Sequence, residues 1–129
     1  MISRVADHCF WFGRYLDRAE STVRLLQATR TLVFDADVPV TQCWQPLVIV
    51  SGEYPAFVER HGAEAAGQGE MVQSYMTWDT QNLVSLSSSV RAARESARVI
   101  RDVLSIEAWE EVNELYLWLG SDEAARLFR

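Results

Sequence analysis

The stretch Leu83 to Leu104, LVSLSSSVRAARESARVIRDVL, decides how the chain is read. Leu83, Leu86, Val90, Ala93, Ala97, Ile100 and Leu104 recur at alternating steps of three and four, the period of one face of an α-helix. No Gly or Pro interrupts them, and the small Ala93 and Ala97 let a second helix approach closely at mid-length. Beside this apolar seam runs a row of arginines, Arg91, Arg94, Arg98 and Arg101, at helical spacing. Four like charges in a stripe repel one another, so they are expected to face carboxylates. Glu95 follows Arg91 by one helical turn and Asp102 follows Arg98, giving two local pairs worth a few tenths of a kcal/mol each.

A second seam lies at the other end of the chain. Val5, Cys9, Phe12, Leu16, Ala19, Val23, Leu26 and Val33 keep the same rhythm, with Arg30 its interruption, and no Pro appears before Pro39. Ser3 is the expected N-cap. Phe10, Trp11 and Tyr15 widen the apolar face towards a second neighbour. Together the two seams predict an all-α helical bundle built on two long antiparallel helices, at about 3–34 and 83–104, plus shorter helices. The shorter ones are expected at 42–50, where Pro46 sits awkwardly and Val48, Ile49 and Val50 leave a strand open, and at 55–60, 70–78 and 106–119. Ser105 should cap the last of these and Gly120 end it. Ser121 then opens a further helix carrying Ala124, Ala125, Leu127 and Phe128, stopped after two turns at Arg129.

The chain of 129 residues fits one domain, 1–129, and buries enough surface to fold without a disulfide or metal. No run approaches the ~18 apolar residues of a membrane span. The opening segment is charged and amphipathic, unlike a secretory leader, so the reading is cytoplasmic, with Cys9 and Cys43 as two buried, reduced thiols. The net charge of −6 argues against a nucleic-acid surface. Two basic stretches, 1–34 and 83–104 at +2 each, alternate with two acidic ones, 35–82 at −6 and 105–129 at −4, as though they neutralise one another across the bundle. All twelve basic residues are Arg. The five tryptophans are expected mostly in the core.

The sequence contains little machinery for chemistry. A dimetal carboxylate site needs Glu-x-x-His pairs, and Val5 and Val58 stand where those acids would be. Cys9 and His8 are adjacent in a helix and so point apart. Phosphate loops, dinucleotide fingerprints and nucleophile elbows are absent, and no metal or cofactor is implied. The catalytic alternative that remains is a peptide- or amide-directed enzyme using Glu20 or Glu95 as acid–base. A structural homo-oligomer is the third reading.

Two blocks carry a resemblance. The first is Met-Ile-Ser-Arg-Val-Ala-Asp followed by Phe10-Trp11-Phe12-Gly13-Arg14-Tyr15-Leu16-Asp17-Arg18-Ala19-Glu20 and Arg24-Leu25-Leu26. The second is Ala93-Arg94-Glu95-Ser96-Ala97-Arg98 with Arg101, Ser105, Trp109-Glu110 and Asn113. In this order they resemble the alpha-E domain family of bacteria. Residues 35 to 82 match loosely, and Asn82-Leu83-Val84-Ser85 stands where the family usually has Asn-Pro and a Ser-containing turn. Members are usually longer, so the resemblance implies an N-terminal fragment or a shortened member. It further implies a helical companion of circularly permuted ATP-grasp ligases and transglutaminase-like proteins, in systems that make or modify peptides. The matching polar residues are Arg14, Arg18, Glu20, Arg24, Arg94, Glu95, Arg98, Arg101, Trp109 and Asn113, a cluster for binding a carboxylate or for ordering the bundle. The expectation is a binding or scaffold module, with no catalysis by this chain alone.

Overall fold

The computed structural model describes residues 2–35 and 39–121. Among them are six α-helices, one short 3-10 helix and no strand. The helices are α1 (Ile2–Asp35), α2 (Val40–Val50), α3 (Tyr54–His61), α4 (Gly69–Thr77), α5 (Leu86–Val99) and α6 (Ile106–Leu119), with the 3-10 turn at Ala63–Gly67. The helix expected after Ser121 lies outside the described residues. The chain divides into two compact units, one made of Met1–Arg18 and Ser89–Arg129, the other of Ala19–Ser88.

In the second unit the core is formed by Trp44, Leu47 and Val48 from α2, Phe57 from α3, Ala65 and Ala66, and Val72, Tyr75 and Met76 from α4. Leu25, Leu26 and Val33 of α1 pack against it. The buried residues of α1 are Ala19, which the seam placed inside, and Thr22 and Thr29, which it did not, while Val23 of the seam is only half-buried. The two threonines go inside because their hydroxyls are satisfied there. Thr29 donates to the Leu25 carbonyl at 2.8 Å and Thr22 to the Val84 carbonyl at 3.1 Å. α2 is helical throughout, with Pro46 inside it and not in a first turn. The proline supplies no N–H to the carbonyl one turn back, that of the exposed Gln42. α3 carries Pro55 in its first turn and ends on Gly62, whose φ of +88 is open to glycine at no steric cost.

A buried polar turn joins α4 to α5. Asn82, 1% exposed, donates through Nδ2 to the Tyr75 carbonyl at 3.0 Å, and its Oδ1 accepts from the Val84 N–H at 3.0 Å. Ser85 Oγ donates to the Asp79 carbonyl at 2.8 Å and accepts from the Ser88 N–H at 3.2 Å, so it is the N-cap of α5. This cap starts the arginine helix at Leu86 and leaves Leu83 outside it and exposed. At the other end the Ile100 N–H is shared between the Ser96 and Ala97 carbonyls, which tightens the last turn and stops the helix at Val99. The helix is therefore shorter at both ends than 83–104.

The first unit includes the N-terminal part of α1, most of α5, and α6. α1 includes Ser3, the residue expected to cap it. Phe10 and Trp11 are 58% and 43% exposed, and Cys9 is exposed where the seam placed it inside. Cys43 is buried as expected, and the two cysteines are not joined. Val90, Ala93 and Ala97 on α5, and Ile100 just past its end, are buried as the seam required. Ser105 caps α6 by accepting from the Ala108 N–H at 3.1 Å, and Gly120 follows its last turn. The tryptophans are less buried than expected. Only Trp44 is in the core, Trp78 and Trp109 are half-buried, and Trp11 and Trp118 are exposed.

Gly69, the first residue of α4, sits against the Trp44 indole, where an added Cβ would lie 2.7 Å from Nε1. The ring is enclosed and cannot withdraw. Gly69→Ala should therefore destabilise by about 1–3 kcal/mol, overriding the ~1 kcal/mol helix preference of Ala over Gly. Thermal unfolding would check this, and a raised melting temperature would contradict the close-approach argument.

Candidate functional site

α6 presents Trp109, Asn113 and Tyr116 at steps of four and three, one stripe of the helix. α5 meets this stripe with Arg94. Its Nε donates to Asn113 Oδ1 at 2.8 Å, and because a guanidinium only donates, the amide oxygen must face it. The guanidinium lies 4.6 Å from the Tyr116 ring centroid and 5.8 Å from that of Trp109. Arg101, just beyond the end of α5, places its own guanidinium 4.7 Å from the Trp109 centroid. One indole thus serves two cations, each contact a cation–π attraction of roughly 0.5–2 kcal/mol.

Glu95 completes the group. Its Oε1 lies 3.4 Å from Arg94 Nη1 and its Oε2 3.4 Å from Arg98 Nη1. Glu95 and Arg98 are both more than half exposed, so these long contacts contribute little. The structure therefore brings together Arg94, Glu95, Arg98, Arg101, Trp109 and Asn113 of the residues singled out by sequence. Arg18 is held elsewhere in the same unit, its Nε donating to the buried Ser89 Oγ at 3.1 Å and its guanidinium 5.1 Å from the Tyr15 ring. Glu20 and Arg24 form the expected exposed pair within α1, in the other unit, and Arg14 is exposed.

The expected pairing of arginines with carboxylates is corrected in detail. Neither Arg91–Glu95 nor Arg98–Asp102 is among the ion pairs of the described residues, which are Glu20–Arg24, Arg60–Asp79, Arg94–Glu95 and Arg98–Glu95. Asp102 lies past the end of α5, where one-turn spacing no longer brings side chains together. All four pairs are local to one charge block, so within the described residues the basic and acidic blocks do not neutralise one another by direct pairing. Sequence reasoning missed Tyr116 and Ser89 as partners. Tyr116 was detectable, since it lies one turn after Asn113.

A second polar group, unforeseen from sequence, lies in the other unit. The buried Tyr75 hydroxyl donates to Glu53 Oε2 at 3.0 Å, Arg60 pairs with Asp79 at 2.8 Å, and the Arg60 guanidinium is 5.8 Å from the Tyr75 ring. The phenol is pushed up to about 12, first by burial and then by its bond to the Glu53 carboxylate. Among the described residues no three His, Cys, Asp or Glu side chains gather as metal ligands, and no helix is long and apolar enough to cross a membrane.

These features define an all-helical module whose polar centre is an arginine clamp on aromatic rings. A family model named Alpha-E, described as a predicted alpha-helical domain with a conserved ER motif, matches residues 1–128. The chain belongs to the Alpha-E family. Glu and Arg are adjacent in that order at Glu59-Arg60, and Asp17-Arg18 also sets an acid before an arginine. Uncharacterised proteins of Mycobacterium bovis and Mycobacterium tuberculosis are 32% identical over 117 residues, which covers 82% of this chain and 13% of theirs. The chain thus spans about an eighth of the length of these relatives. No solved structure matches it.

The raised phenol has a pH consequence. Folded Tyr75 keeps its proton to about 12, whereas an unfolded tyrosine loses it near 10. Its contribution is intact below pH 10 and is lost as pH rises towards 12. Tyr75→Phe should cost about 1 kcal/mol near neutrality and show a shallower fall in stability between pH 10 and 12. Urea titrations across that range would measure both, and an unchanged alkaline slope would contradict the assignment.

Proposed function

We propose that this chain is a non-catalytic binding or scaffold module of a bacterial peptide-synthesis or peptide-modification system, working in the cytoplasm and docking on an ATP-grasp-type ligase or transglutaminase-like protein. The observation that carries this reading is the exposed basic edge formed by α5 and the turn that follows it. Arg91, Arg98 and Arg101 are all exposed, and Glu95 is the one acid paired to any of them among the described residues. The clamp on Asn113, Tyr116 and Trp109 fixes α5 against α6, so the edge is held on a rigid pair of helices, which lowers the ordering cost of binding. The family resemblance supports the choice of partner, as a weaker warrant than a site would give.

One observation counts against the enzyme alternative. Glu20 and Glu95 are each more than half exposed and each beside an arginine, not carboxylates desolvated in a cleft. Self-association is the second reading. It is favoured by Phe10, Val103, Ile106 and Leu117, each more than half exposed in the first unit.

The test is light scattering on the purified chain, alone and mixed with an ATP-grasp-type ligase. The expected result is a mixed complex weakened several-fold by Arg98→Ala. A chain that stays alone in the mixture sinks the proposal, and a concentration-dependent dimer insensitive to Arg98→Ala favours self-association.

A further inference from the structure

We infer that Arg94 and Arg101, gathered on the Trp109 indole, bind the C-terminal carboxylate of a peptide ending in an aliphatic residue. This rests on the binding-module reading and adds to it the ligand class and the atoms that recognise it.

A guanidinium carries five N–H donors. In Arg94, Nε is committed to Asn113 and Nη1 reaches Glu95 only at 3.4 Å, while Nη2 donates to no group among the described residues. Arg101 is exposed, and its contact among the described residues is the face of Trp109. Each guanidinium lies against the Trp109 ring, and among the described residues Glu95 is paired with Arg94 while no acid is paired with Arg101. An incoming carboxylate supplies the counter-charge that Arg101 lacks there. The planar fork of a guanidinium matches a carboxylate bidentately. Stacking on the indole fixes the Arg101 side chain before the ligand arrives, so less rotamer freedom is lost on binding.

The surroundings favour a carboxylate borne on an apolar group over a bare anion. Val103 and Ile106, in and just beyond the connection that carries Arg101, are 62% and 71% exposed. An aliphatic side chain next to the carboxylate would cover this surface while the charges are engaged, whereas inorganic phosphate would use only the guanidiniums.

The experiment is calorimetric titration of the whole chain with three probes: acetyl-Leu-Leu with a free carboxylate, acetyl-Leu-Leu amide, and inorganic phosphate. The free acid is expected to bind at least about tenfold more tightly than either of the others. Arg101→Ala should weaken the acid by about tenfold, with the thermal melt lowered only by the loss of its contact with the Trp109 ring. Arg94→Lys retains the charge but loses the fork, and should weaken it as well. Equal binding of acid and amide, equal binding of phosphate, or an indifferent Arg101→Ala would overturn the assignment. A chain that forms the ligase complex yet ignores the peptide would refute the ligand class and leave the module reading standing. A chain that binds the peptide but no ligase would do the reverse.

Discussion

The start of α5 depends on a turn that hides its polar groups from water. Asn82 and Ser85 are almost wholly buried, and each buried oxygen or nitrogen of the pair finds a partner on Tyr75, Asp79, Val84 or Ser88. A buried amide without such partners would cost several kcal/mol, so the turn has little freedom to slide. Ser85 then fixes which residue opens the helix.

Arg94 illustrates how a cation can be half-buried without a strong ion pair. Its charge meets one amide oxygen and two aromatic faces, with a distant carboxylate as a minor contributor. Lysine could not reproduce this, because stacking and the directed Nε bond both need the planar group. The absence of lysine from the whole sequence therefore has, at this one position, a structural reason beyond composition.

Much of the architecture was readable from periodicity, because apolar spacing reports directly which face of a helix is covered. Val90, Ala93, Ala97 and Ile100 behave as their spacing demanded. The failures have physical causes. Thr22 and Thr29 displaced the apolar positions expected beside them, since a hydroxyl that bonds to a carbonyl loses its penalty for burial. Phe10, Trp11 and Cys9 keep the helical rhythm yet remain exposed, and rhythm alone cannot say whether a neighbour is present. Of the polar cluster, the α5–α6 half was legible through helical spacing and resemblance. The Glu53–Tyr75–Arg60 group was not, because it joins loops and helices with no common period.

The discontinuity of the first unit bears on how the chain closes upon itself. Arg18 and Ser89 are partners separated by 71 positions, and pinning them in an otherwise open chain would cost about 4 kcal/mol of loop entropy. The intervening residues form the second unit, and within it the bond from Thr22 to Val84 already draws its two ends together. Once that bond and its core exist, only a handful of residues on either side still need ordering. With those ends already joined, the effective loop that the Arg18–Ser89 bond closes is far shorter than its sequence separation, and the entropy it costs falls accordingly.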